Sequence, residues 1–298
     1  MITGKEIAQL VQTSCIREVC APKPGNVSRD HDFSDALFED FLVSAVAVGP
    51  AFKNTDKLSV GEIIQQAVEL TCRAVRSNTN LGMILLLAPL AKACVRAVDF
   101  NAIRPNLCAV LKSLTINDAE LAYAAIRMAK PGGMGQVSEA DISRTPSIDL
   151  LQAMILAKDR DAIAREYATD FSITFETGVP ALRKAIAQQG SFADAIVQTF
   201  LSILSVVPDT LIARKMGYES ALRVSEKAEA VLNRGGIFTE SGRAALAEFD
   251  RSLRNPAHTL NPGATADLTT AAIFLQLVPD KKIHFPKFNE LLGYDKIG

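Results

Sequence analysis

Ser191-Phe192-Ala-Asp-Ala-Ile-Val-Gln-Thr-Phe-Leu-Ser-Ile-Leu-Ser-Val-Val207 is the stretch that decides the fold. Ser191 stands three residues ahead of Asp194, a spacing in which the hydroxyl accepts the third helical amide while the acid faces the positive end of the helix. From there to Val207 the segment is apolar on nearly every face, which predicts a central helix wrapped by others. Residues 271–278 read the same way, in a helix opened by Asn261-Pro262, a cap residue followed by proline at the first helical position. The hydroxyl-to-acid spacing recurs at Thr3 and Glu6, Ser59 and Glu62, and Thr115 and Asp118. Around these starts the apolar residues keep a helical period. Ile7, Leu10, Val11, Ser14 and Cys15 form one stripe, and Leu222, Ser225, Ala228, Val231 and Leu232 another. Alternating strand patterns between hairpin turns are absent, and no repeat of fixed period occurs. The expected fold is all-α: a single globular multi-helix domain in which amphipathic helices wrap central apolar ones.

The breaks at residues 21–34, 54–58, 131–147, 235–238 and 256–261 are too short and too varied to be domain linkers. One domain is therefore expected over residues 1–280. An irregular tail, 281–298, follows, where Lys281, Lys282, Pro286 and Lys287 interrupt any helical pattern.

Composition narrows the function. A chain of 298 residues, 48% hydrophobic and 22% charged, belongs among globular proteins rather than disordered or fibrous ones. Its 32 basic and 33 acidic residues leave a net charge of −1, without the electrostatic footprint of a general nucleic-acid or membrane-surface binder. Five cysteines, Cys15, Cys20, Cys72, Cys94 and Cys108, are scattered singly, so neither a disulfide framework nor a zinc site is expected and a reduced, cytoplasmic setting is. The longest apolar run, residues 81–91, is far short of the roughly 20 needed to span a bilayer.

Four polar stretches are over-specified for turns. Pro22-Lys23-Pro24-Gly25-Asn26-Val27 is a rigid turn that runs into Arg29, Asp30, His31 and Asp32. Taken alone it is a solvated loop between two helices. Ser77-Asn78-Thr79-Asn80-Leu81-Gly82 opens an apolar helix, where it reads as a cap or, through free amides and amide side chains, as a phosphate or ribose site. Lys130-Pro-Gly-Gly-Met-Gly135 is glycine-rich but follows no strand and lacks the spacing of a phosphate-binding P-loop. Asp209, Thr210 and Arg214 flank one apolar helix, as Asn261-Pro262-Gly263-Ala264-Thr265-Ala266-Asp267 flanks the other. An acid at the edge of a buried helix needs a partner: a ligand, a metal or an arginine. No serine elbow, zinc-protease helix or dinucleotide fingerprint is present. With three histidines, His31, His258 and His284, any metal is expected on carboxylates, hence Mg²⁺.

In this order the stretches resemble the triphosphoribosyl-dephospho-CoA synthase family, whose signatures are P-K-P-G-x-V, an R-D-x-D-F-like element, N-T-x-x-G, a D-T-x-x-x-R-like segment and [SN]-P-G-x-[ST]-A-D-L. Here they stand at residues 22–27, 29–33, 78–82, 209–214 and 261–268, within a similarity over roughly residues 5–275. One departure is plain: where the family has N-T-H-K-G, Asn80 and Leu81 replace the histidine and the lysine. The stretch from Pro131 through Glu139 and Asp141 is similar to a divergent branch linked to tetrahydromethanopterin-type one-carbon carriers.

The resemblance implies an all-helical transferase that joins the triphosphoribosyl group of ATP to the 2′-hydroxyl of 3′-dephospho-CoA and releases adenine. Breaking an N-glycosidic bond through an oxocarbenium-like state calls for an acid near the base, a carboxylate near the attacking hydroxyl and cations for the triphosphate. On that reading Asp30, Asp32, Asp209 and Asp267 are the catalytic acids, with Mg²⁺ on Asp30 and Asp32. Lys23, Arg29 and Arg214 neutralise phosphate, and Gly25, Asn78, Thr79, Gly82 and Gly263 hold phosphate or ribose. The expected partners are ATP and a CoA-like acceptor, with a homodimer open and no nucleic acid or membrane. Three alternatives remain at this point: an Mg²⁺ enzyme of one-carbon-carrier biosynthesis, hydrolysis like that of ADP-ribosylglycohydrolases, or a non-catalytic helical scaffold or ligand-binding protein that kept the fold.

Overall fold

Caps written in the sequence set where the helices begin. In the computed structural model, which describes residues 2–133, 139–188 and 190–278, Thr3, Ser59 and Thr115 each form a reciprocal capping box with Glu6, Glu62 and Asp118, and Ser191 accepts the amide of Asp194. The helices are α1 (Gly4–Cys20), α2 (Phe38–Ala47), α3 (Gly49–Phe52), α4 (Val60–Ala74), α5 (Leu81–Val95), α6 (Ile103–Lys112), α7 (Ile116–Ala129), α8 (Leu150–Ala157), α9 (Ala162–Ala168), α10 (Val179–Ala187), α11 (Phe192–Val206), α12 (Thr210–Met216), α13 (Tyr218–Asn233), α14 (Glu240–Leu253) and α15 (Gly263–Leu277). Among the described residues there is no strand, only an isolated bridge between Ser28 and His31. The expected tail, 281–298, lies outside the described residues, as do Met134 and Gly135 of the glycine-rich stretch.

The core has two apolar clusters that meet at α15. Leu268, Ala271, Phe274 and Leu275 face a cluster built from α1 to α9, while Ala266 and Ile273 face one built from α10 to α14. Helix α15 is thus buried on all sides, as the sequence suggests, and α11 packs against it. A third central helix, α5, is buried along most of its length. It carries Pro89, which cannot donate to the carbonyl of Leu85 four residues earlier. The hydroxyl of Tyr167, fully buried on α9, donates to that carbonyl instead at 2.6 Å, so the acceptor is not orphaned. No single described helix is long and apolar enough to cross a membrane.

One start is displaced from its expected place. Pro262, not Asn261, is the N-cap of α15, and the amide of Thr265 is taken by Asp209, which comes from the distant segment before α12. The long loop at 21–34 lies where the sequence puts it.

Candidate active site

The starts of α5, α9, α12 and α15 border a cavity of about 860 Å³, a size suited to a nucleotide-sized ligand. Its polar wall carries Asn78, Thr79, Gly82, Arg214, Gly263 and Asp267 from the expected set. Its other wall is apolar, with Ile126, Leu150, Ala153 and Met154.

Five residues on this wall hold buried polar atoms that find no partner among the described residues: Ser77 Oγ, Thr79 Oγ1, Asn80 Nδ2, Asn261 Oδ1 and Arg214 Nε. Buried polar atoms are ordinarily satisfied, and leaving one bare costs roughly 1–3 kcal/mol. Five such atoms fall in residues that line this one wall, which sets it apart from the rest of the described interior. Asn80, the N-cap of α5, makes no side-chain cap bond; Asn78 Oδ1 instead accepts the Leu81 amide at 3.2 Å. The positive ends of α5 and α15 add a field that favours anions.

Asp267 sits on the first turns of α15 and faces Gly82 across the wall. A Cβ on Gly82 would lie 2.0 Å from Asp267 Oδ2, so glycine is the residue that lets the carboxylate approach the start of α5. This contact joins the N-T-x-x-G and P-G-x-[ST]-A-D-L motifs. Burial pushes the Asp267 carboxyl well above its ordinary range, Glu18, Asp209 and Asp161 push it further, and Arg214 opposes them. No hydrogen bond to this carboxylate exists among the described residues.

Asp209 has the opposite character. It is fully buried off the cavity wall, and its four hydrogen bonds come from the amides of Leu211 and Ile212 and from the amide and hydroxyl of Thr265. It staples the start of α12, which carries Arg214, to the start of α15, which carries Asp267. Arg214 in turn pairs with Asp161 at 2.5 Å, and Asp161 caps α9 through the amides of Ile163 and Ala164.

The turn at 22–32 is placed differently from its expected role. Lys23 does not line the cavity. It is buried, pairs with Glu18 Oε1 at 2.9 Å and donates to the carbonyls of Glu18 and Ala21, closing the C-terminal end of α1. Gly25 adopts φ +73° and gives its amide to Asp250 at 2.8 Å; a Cβ there would strike Leu253 at 2.9 Å. Arg254 pairs with Asp250 and reaches the carbonyl of Asn26, so α14 clamps the turn. Arg29, Asp30 and Asp32 are exposed and off the cavity wall, and Asp32 caps Phe38 at 2.7 Å. Asp30 and Asp32, expected to hold Mg²⁺, thus stand apart from the residues that line the cavity. Among the described residues no group of three His, Cys, Asp or Glu is arranged to hold a metal.

Several wall residues lie outside the candidate set, although Lys130 and Asp141 fall in stretches that the sequence singles out. Arg76, Lys130, Arg160 and Lys215 add positive charge, and Glu18, Asp35, Asp141 and Asp161 add carboxylates. His258, in the left-handed conformation at φ 48°, stacks on Phe33 at 3.9 Å and accepts the amide of Ser34, and both rings line the cavity. Glu18 carried a legible signal: it falls on the Val11, Ser14, Cys15 stripe of α1, an acid on a face that should be apolar.

The family model for ATP:dephospho-CoA triphosphoribosyl transferase (CitG) matches residues 4–284. A 2-(5''-triphosphoribosyl)-3'-dephosphocoenzyme-A synthase of Escherichia fergusonii is 26% identical, covering 96% of this chain and 93% of its own. A Pseudomonas paraeruginosa protein with the same name, given provisionally, is 34% identical over 117 residues, 39% of each chain. The crystal structure of an Archaeoglobus fulgidus protein provisionally named triphosphoribosyl-dephospho-CoA synthase superposes with a TM-score of 0.60. It is 27% identical and covers 80% of this chain and 98% of its own. These relatives do not favour the hydrolase or the one-carbon-carrier reading. With a model matched from α1 to beyond α15, the chain belongs to the ATP:dephospho-CoA triphosphoribosyl transferase family.

Proposed function

We propose that this chain transfers the triphosphoribosyl group of ATP to the 2′-hydroxyl of 3′-dephospho-CoA with release of adenine. The observation that carries the reading is the set of unsatisfied polar atoms in residues of one cavity wall, a wall that also carries Asp267, whose carboxyl has no hydrogen-bond partner among the described residues. Anion-binding helix starts and a wall with unpaired donors and acceptors suit a polyphosphate and a ribose, while the apolar wall opposite offers a dry face to a purine.

Arg214 clamps phosphate, with Lys130, Arg160 and Lys215 supplying the positive charge that Asn80 and Leu81 do not. Asn78, Thr79, Gly82 and Gly263 hold ribose or phosphate oxygens. Asp267 is the carboxyl at the reacting carbon, and Asp209 sets its register against Arg214. Mg²⁺ accompanies ATP as its counter-ion, and no step depends on an ion held by Asp30 and Asp32.

The test is incubation of the protein with Mg-ATP, with and without 3′-dephospho-CoA, followed by chromatography of adenine and mass analysis of the product. Acceptor-dependent adenine and a product heavier by one triphosphoribosyl group are expected. Adenine without acceptor would mean hydrolysis, and no adenine would mean that the substrate has changed.

A further inference from the structure

The chemistry needs two carboxyl groups, and Asp267 is one. Glu18, on the buried stripe of α1, also lines the cavity, and α1 packs directly on α15 and α5. Its Oε1 stands 2.9 Å from Lys23 Nζ, with both side chains almost wholly buried. Asp267 has no ion pair among the described residues. Cys15, one turn before Glu18, feels the charge of both carboxyls, which puts all three within electrostatic reach of one another.

We propose that Glu18 is a catalytic residue, the base that takes the proton of the acceptor hydroxyl, opposite Asp267 as the acid that protonates the departing adenine; this rests on the transferase reading above. As the C1′–N9 bond of ATP breaks, its electron pair leaves with adenine and Asp267 delivers a proton to the ring. The acceptor oxygen forms its bond to C1′, and its proton passes to Glu18. After product release Glu18 returns its proton to water and Asp267 regains one.

The division of labour follows from what faces each group. Burial pushes both carboxyls up. The Lys23 ammonium pulls Glu18 back toward the ionised form, whereas Glu18, Asp209 and Asp161 drive Asp267 further up, with Arg214 opposing them. Two carboxyls with unlike partners separate into a base and an acid. Lys23 thus serves the reaction without touching phosphate: its ammonium opposes the burial that would otherwise hold the proton on Glu18.

The test compares wild type, Glu18→Gln, Glu18→Asp and the double variant Glu18→Gln/Lys23→Met, which removes both buried charges and avoids stranding the lysine. Calorimetric Kd values for ATP and 3′-dephospho-CoA should stay within about threefold, while kcat of both Gln variants falls by roughly 100-fold or more, as for loss of a general base. The acid limb of the kcat/KM–pH profile should vanish in the Gln variants and survive in Glu18→Asp. A Gln variant that turns over near the wild-type rate with its acid limb intact overturns the proposal. Should the Gln variants not fold, a Glu18→Asp enzyme without an acid limb overturns it equally. A wild type that releases no acceptor-dependent adenine overturns the transferase reading itself, and the proposal with it.

Discussion

The turn at residues 22–32 and the wall formed by residues 77–82 with 261–267 look alike in sequence, since both are dense in polar residues, prolines and glycines. In the folded chain they are opposites. The turn has spent its polar groups: Lys23 on Glu18 and two carbonyls, Gly25 on Asp250, Asn26 on Arg254, Asp32 on Phe38. The wall has kept its own: Ser77, Thr79, Asn80 and Asn261, with Arg214 beside them on the cavity, each hold a buried atom that is unsatisfied among the described residues. Hydrogen-bonding capacity already used builds the fold, and capacity left open inside a cavity awaits a ligand.

Substitutions can break this comparison, beginning with the one that damages both fold and wall. Asp209→Ala strands four donors at the starts of α12 and α15, so an unfolding free-energy loss of about 3 kcal/mol or more is expected by denaturant titration. A stability close to wild type would remove the staple from the account. Arg214→Ala should raise the KM for ATP about 10- to 100-fold, as befits a lost charge-assisted contact, with Arg214→Lys in between. Equal, small effects would leave Arg214 a structural partner of Asp161 alone.

Gly82→Ala sharpens the contact between the two motifs. The added methyl collides with Asp267, so kcat should fall roughly tenfold, the penalty of displacing a reacting group. In an Asp267→Asn background the same methyl should cost little further turnover, a non-additivity that a double-mutant cycle reads directly. Additive losses would mean that Gly82 acts elsewhere. Asp32→Asn carries the smallest expected effect. Asparagine keeps the oxygen that caps Phe38, so turnover should stay within about twofold and stability within roughly 0.5 kcal/mol.

Much of the fold was legible because helix starts are local. Ser59 and Glu62, or Thr115 and Asp118, satisfy each other within one turn, and four such starts fall where the spacing puts them. The start of α15 was read one residue early because its cap is tertiary: Asp209 reaches Thr265 from a segment 56 residues away. The same cause hid part of the site. Motif order identified the stretches, but whether Lys23 faces phosphate or Glu18 depends on how α1 turns into the loop. Glu18 is the exception, an acid on the buried Val11, Ser14, Cys15 face whose position alone marks it as unusual.

Asp267 concentrates the account. Because burial raises its carboxyl above the unfolded value near 4, folding becomes costlier as the pH rises from there through the raised folded value. Asp267→Asn removes that cost and should melt no lower than wild type at neutral pH. The most direct measurement is therefore adenine release at saturating ATP and 3′-dephospho-CoA by Asp267→Asn, beside Asp32→Asn. Asp267→Asn, fully folded, should fall to about 1% of wild type or less, the scale of a lost acid catalyst, while Asp32→Asn turns over normally. Normal turnover by Asp267→Asn with a dead Asp32→Asn would contradict that expectation, and would return the chemistry to the turn at 22–32.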